Sequence, residues 1–212
     1  MTQTDFFAAE SRSASQRREL LDAVRQKALG CTNCPLFRQA TQTVFGRGPV
    51  TASLMLVGEQ PGNDEDLQGL PFVGPAGRVL EDGLREAGID TREAYVTNVV
   101  KHFKWVPRGK RRIHQKPSAR EVEACRPWIE QELAIVRPRV LVCLGATASQ
   151  ALLGPDVRVT RERGRVLATP LAPKAVATVH PSSILRQQTP EDREREMGLF
   201  IEDLRVVASL LQ

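Results

Sequence analysis

The sequence predicts an α/β fold, with three layers (α/β/α) around a central, mostly parallel four-stranded sheet. The first reason is that helical and strand-like hydrophobic periods alternate along the chain, as they do when helices cover a parallel sheet. The second is that the strand-like runs are rich in β-branched residues or, after their first residue, wholly apolar, as in the stretches 95–100 and 139–144. The third is length: 212 residues, 41% hydrophobic and 26% charged, suit one core, and no repeat or linker divides them. Residues 1–212 are therefore expected to form one domain, with 1–30 as an N-terminal helical segment.

Taken in order, a helix over 15–29 carries Leu20, Leu21, Val24 and Leu29 on one side and stops at Gly30. The strand 53–57 follows, then the Gly/Pro-rich turn 58–62 and a loop ending in Gly74-Pro75. Proline is tolerated in a first helical turn, so a helix over 75–87 comes next. The strand 95–100 leads into a basic loop with some helical character, and Ser118 with Glu121 forms a capping box for a helix reaching Ile135. The strand 139–144, the short helix 146–153, and strands 164–168 and 175–179 complete the core. Thr189, Pro190 and Asp192 start a last amphipathic helix that runs to Leu210.

Charge is unevenly spread. The chain carries a net +5, but residues 101–120 hold Lys101, Lys104, Arg108, Lys110, Arg111, Arg112, Lys116 and Arg120 and no acid. Such a focus suits a polyanion, most simply a nucleic-acid backbone, although a solvated basic loop has the same composition. The longest apolar run, 140–146, is far short of the ~18 residues of a membrane span. Asp5 and Glu10 flank the brief apolar patch 6–9, which argues against a secretory signal and for a cytoplasmic protein.

In an open parallel sheet, loops at the carboxyl ends of the strands converge on one rim, where ligands bind. Three polar groups fall there: Gly58-Glu59-Gln60-Pro61-Gly62, Thr97-Asn98 and His180-Pro181-Ser182-Ser183. Each alone has an ordinary structural reading, but their agreement on one edge points to a site.

Four cysteines occur, Cys31 and Cys34 as a CxxC and Cys125 and Cys143 singly. In a reducing compartment disulfides are disfavoured. A zinc ribbon usually presents two close pairs, whereas one pair plus two distant thiolates suits a [4Fe-4S] cluster. The alternative is a free thiol at Cys143 in an apolar strand, beside a partial or different metal site.

Together, the CxxC, GEQPG (58–62), LPFVGPAG (70–77), VTNVVKHFK (96–104), ACRPW (124–128), VLVCLG (140–145) and HPSSILR (180–186) resemble the iron-sulfur uracil-DNA glycosylases, in order and over nearly the whole chain. Within that superfamily, GKRRIH at 109–114 is similar to the loop of the UdgX group, whose members excise uracil and become covalently attached to DNA through the loop histidine. The resemblance implies uracil-containing DNA as partner, a monomer, and a [4Fe-4S] cluster on Cys31, Cys34, Cys125 and Cys143. It implies that Phe72 stacks on uracil, Asn98 reads its edge, and His180 bonds O2 and steadies the departing base. Gly58 and Gln60 allow close backbone approach, Glu59 stabilises charge at C1′, and His114 attacks that carbon. Arg112 is a weaker candidate for a DNA contact. Asn63 departs from the acidic residue expected after GEQPG, which puts ordinary water activation in doubt. Two other readings remain open: a turnover glycosylase of the same fold, and a noncatalytic iron-sulfur DNA-binding module.

Overall fold

A computed structural model describes residues 12–212, so the apolar patch 6–9 and the start of the N-terminal segment lie outside the described residues. The first helix is α1, Ala14–Leu29, closed at its start by a capping box of Ser13 and Gln16. Strand β1 (Leu54–Gly58) leads into α2 (Asn63–Gln68) and α3 (Pro75–Glu86), with Pro75 in the first turn of α3. Then come β2 (Ala94–Asn98), β3 (Trp105–Arg108), β4 (Arg111–His114) and α4 (Ala119–Val136), the last capped by Ser118 and Glu121 as the sequence predicts. Strand β5 (Val140–Leu144) is followed by α5 (Ala146–Leu153), α6 (Val159–Glu162), β6 (Val166–Leu167) and β7 (Lys174–Thr178). Helices α7 (Pro181–Leu185) and α8 (Pro190–Leu211) end the chain.

The sheet has the order β2-β1-β5-β7-β6, with β6 antiparallel and the other strands parallel. The expected count of four is thus corrected to five. The fifth strand is a two-residue edge: of the stretch 164–168 only Val166 and Leu167 find ladder partners, Val176 and Ala175. Alternation along the strands divides the core in two. Met55, Val57, Leu141 and Cys143 face α1 and α4, where Leu21, Val24, Ile129 and Leu133 meet them. Leu54, Leu56, Val140 and Val142 face α3 and α8, against Leu80, Leu84, Phe200 and Leu204. Central strands are buried from end to end because helices cover both faces.

Two loop expectations are corrected. The stretch after Gly62 contains α2, whose first turn holds Asp64, Glu65 and Asp66, acids that suit a helix N-terminus. The basic loop is a β-hairpin: β3 and β4 pair antiparallel across the two-residue turn Gly109-Lys110. Gly109 has φ +59°, a left-handed conformation that tight hairpin turns require and that glycine takes without steric cost.

Candidate active site

The carboxyl ends of β1, β2, β5 and β7 open into one cavity of about 710 Å³. Glu59, Gln60, Phe72, Asn98, His114 and His180 all line it, so most of the expected site residues come together. Its floor is formed where Asn98 ends β2 beside Gly58, its ladder partner at the end of β1. A Cβ on Gly58 would lie 2.4 Å from Asn98 Oδ1 and 2.7 Å from the Phe72 ring, so the absence of a side chain at 58 makes room for both.

Asn98 is buried, and its Oδ1 has no hydrogen-bond partner within the protein. A buried acceptor left unpaired costs ~1–3 kcal/mol, so the atom is suited to a donor brought by a ligand. Beneath it lies a wholly buried network. Lys101 Nζ donates to the Asn98 carbonyl oxygen (2.7 Å) and pairs with Glu132, while Glu132 also accepts from Tyr95 Oη (2.9 Å) and Thr97 Oγ1 (3.1 Å). The end of β2 is therefore fixed from below.

His180 caps α7. Its Nδ1 accepts the Ser182 backbone N–H (3.2 Å), so in the neutral ring Nε2 carries the proton. Burial lowers its pKa to about 4, against an opposing pull from Glu59, which keeps the ring neutral at physiological pH. Phe72 stacks on this ring with centroids 6.2 Å apart. Its backbone is left-handed (φ 54°), an unfavourable state for an aromatic residue, and the loop around it is held by Glu65. That carboxylate accepts the backbone N–H groups of Gly62 (3.0 Å), Val73 (3.0 Å) and Gly74 (2.7 Å). Sequence reasoning missed Glu65; the capping spacing from Gly62 was the available signal.

Across the cavity, His114 Nε2 lies 3.2 Å from Glu59 Oε1, and Thr147 Oγ1 donates to Glu59 Oε2. Burial pushes the Glu59 pKa up, but the hydrogen bonds from His114 and Thr147, with smaller electrostatic contributions from His114 and His180, outweigh it, so the net shift is downward. The hairpin bearing His114 is anchored by two residues. Gln60 Nε2 donates to the Lys104 (3.2 Å) and Gln115 (3.1 Å) carbonyls, and Gln60 Oε1 accepts the Lys104 N–H. Arg112, expected at DNA, instead turns inward to Asp66 (2.6 Å), Asn63 (2.9 Å) and Thr41 (3.2 Å), and lies over Phe103 and Trp105. Asn63 is thereby occupied as a partner of Arg112.

All four cysteines are buried, with Cys31 and Cys34 near Cys125. Burial raises the Cys34 and Cys125 thiols, with a smaller contribution from the neighbouring cysteines, whereas burial alone raises Cys143, the fourth residue of β5. Burial pushes the Cys125 thiol up to about 12, opposed by Lys101. Sulfur acceptors are nonetheless served: Trp128 Nε1 donates to Cys31 Sγ and the Lys101 N–H to Cys125 Sγ, each at 3.2 Å. A fourth donor that sequence reasoning missed is His102. Its Nε2 is 3.0 Å from Thr43 Oγ1, whose only proton goes to the Ala28 carbonyl, which also accepts the Cys31 N–H. Nε2 must then donate, leaving a lone pair on Nδ1 that is buried and has no partner. Among the described residues no three such side chains converge closely enough for a single metal ion; a cluster is larger and needs its donors further apart.

The model of the uracil DNA glycosylase superfamily matches residues 45–205. A type-4 uracil-DNA glycosylase of Thermotoga maritima is 36% identical over 92% of this chain and 97% of its own length. Type-4 uracil-DNA glycosylases of Archaeoglobus fulgidus (34% identical, covering 84% of this chain and 90% of the relative) and Pyrobaculum aerophilum (32%, covering 79% and 85%) are also similar.

Proposed function

The chain belongs to the uracil DNA glycosylase superfamily, and from that premise we propose that it excises uracil from DNA and captures the abasic sugar through His114, as a monomer in the cytoplasm. The observation that carries the capture is the His114–Glu59 contact, a potential nucleophile beside a carboxylate at the rim of the base pocket.

A uracil flipped from the stack enters between Phe72 and the floor. Its N3–H meets the unpartnered Oδ1 of Asn98, and the amide NH₂ donates to O4. Cytosine reverses that pattern and leaves like groups opposed. The Nε2–H of His180 donates to O2. As the C1′–N1 bond breaks, the electron pair leaves with uracil, whose negative charge this donor stabilises. Glu59 stabilises the positive charge at C1′. A ring nitrogen of His114 then gives its lone pair to C1′, and the resulting cation passes the proton on its other nitrogen to Glu59 or to water. The product is a neutral N-alkyl imidazole, a poor leaving group, so the adduct persists.

The residues fit a [4Fe-4S] cluster with a changed donor set: the thiolates of Cys31, Cys34 and Cys125 and the orphaned Nδ1 of His102, in place of Cys143. Such a cluster supplies a structural tie between the segment after α1 and the start of α4. Anaerobically purified protein is expected to contain iron and sulfide, and to keep both in Cys143→Ala while losing them in His102→Ala.

The test of the reaction is a uracil-containing oligonucleotide run on a denaturing gel after boiling. Retarded, protein-bound DNA is expected. Free uracil with no retarded band identifies a turnover glycosylase, and no uracil release leaves only DNA binding.

A further inference from the structure

Helix α5 begins at the cavity with a residue to which the reaction above gives no part. Gly145 precedes it with φ +87°, and a Cβ there would fall 2.8 Å from the His180 Cβ, so the chain leaves β5 by a path open to glycine. That path brings Thr147 to the cavity wall, where it is buried and donates its hydroxyl proton to Glu59 Oε2. The other oxygen, Oε1, faces His114 Nε2. One carboxylate thus bridges the packed strand-end scaffold and the hairpin.

We propose that Thr147 is a positioning residue for both bond cleavage and capture: its hydroxyl holds Oε2 of Glu59 so that Oε1 stays turned to His114 and to the sugar that would lie between them. A glutamate has three rotatable bonds, and a carboxylate that must face an electrophilic carbon is effective only when those rotors are fixed before the charge appears. His114 cannot fix them alone, because it sits on a half-exposed hairpin end. Thr147 can, because α5 packs on β5 in the core. The same hydrogen bond favours the ionised carboxylate, in concert with His114 from the hairpin and His180 from the α7 cap, and against burial. Lys116, Glu65 and Arg186 also line the cavity and complete its charged surroundings.

The inference rests on the proposed glycosylase reading, and the experiment separates the two. Single-turnover uracil release and boil-resistant adduct formation are measured from pH 5 to 9 for the full-length protein and for Thr147→Val, Thr147→Ala and Thr147→Ser. Losing a hydrogen bond to an ionised group is expected to slow both steps about tenfold or more in Val and Ala. Their acidic limb should move to higher pH, because a carboxylate deprived of a donor holds its proton more tightly. Serine, which keeps the hydroxyl, should restore rate and profile. A direct carbon-13 titration of the Glu59 carboxyl in the unliganded Ala variant should show the same upward shift. Wild-type rates and profile in Val and Ala overturn the proposal, as does a rate loss that Ser shares with no movement of the limb, which marks a packing role for the methyl group. In either case His114→Ala still forms no adduct if the parent reading holds. Absence of uracil release from the wild type refutes that reading instead.

Discussion

Asn98 stands at the end of a strand and His180 caps a helix two residues past one, on β-strands that helices bury from both sides, whereas His114 ends a hairpin whose strands are largely exposed. The floor inherits its geometry from the core. The hairpin inherits its geometry from side chains that reach across to it, namely Gln60, Asn63 and Asp66, and from the contact with Glu59. In the proposed reaction, base reading and sugar capture thus fall to parts with different mechanical supports. Substitutions should separate them.

The largest separation is expected at His114. His114→Ala should abolish the boil-resistant complex outright, while uracil release continues, because Asn98, His180 and Glu59 remain and water can occupy the vacated space. A denaturing gel run beside a free-uracil assay measures both. Adduct of undiminished yield in this variant would falsify the assignment of the nucleophile.

The floor should respond in stability as well as rate. Glu132→Gln removes the charge from one side of a fully buried pair and leaves the Lys101 ammonium uncompensated, a change that costs ~3–5 kcal/mol in comparable settings. Urea denaturation should show a lower midpoint, and what folds should select uracil less well because the Asn98 carbonyl loses its anchored donor. Asn98→Asp is a milder probe of the same floor. It should slow uracil excision by about ten- to a hundredfold through loss of the amide donor to O4, and relax the rejection of cytosine. Unchanged selectivity in a competition assay would place base reading elsewhere.

Arg112→Ala tests the hairpin's attachment. It leaves Asp66 buried, with the Thr41 N–H as a remaining donor (2.9 Å), so global stability should fall by only ~1–3 kcal/mol. Adduct formation should fall by a larger factor than uracil release, since the loosened hairpin presents His114 less often to C1′. Equal losses would mean that the hairpin and floor move as one.

The same contrast explains what could be read from the chain. Helices α1, α3, α4 and α8 and all five strand runs are legible because each shows a hydrophobic period or a cap such as Ser118 with Glu121. The rim residues follow from topology once the strands are placed. The hairpin is hidden because Val106, Pro107, Arg111 and Arg112 carry no clear alternation, and its form depends on Gly109 and on partners far away in sequence. Arg112 reads as a weaker candidate for a DNA contact because its neighbours are basic, and only the fold shows that Asp66 and Asn63 lie beneath it. Thr147 and His102 were missed for a related reason. A threonine in a helix and a histidine after a strand have no local signature, and only the orphaned atom of His102 and the partner of Thr147 give them chemical meaning.

The smallest effect concerns the hairpin's tip. Lys110 and Arg111 are exposed and, among the described residues, make no ion pair, unlike Arg112 two strand positions from the turn. A cation free of internal partners can neutralise a phosphate and release the counterions condensed there, so it contributes to the slope of log affinity against log salt. A guanidinium already paired with a carboxylate contributes little to that slope. Replacing Lys110 and Arg111 by Gln should therefore lower the slope by ~0.9 for each phosphate no longer neutralised on duplex DNA and ~0.7 on single strands. Arg112→Gln should leave the slope unchanged even though it impairs capture. The measurement is a fluorescence anisotropy titration at several salt concentrations, with DNA lacking uracil so that no adduct forms. If Arg112 alters the slope and the tip residues do not, the polyanion lies against the inner face of the hairpin, and the inward contacts of Arg112 must give way when DNA binds.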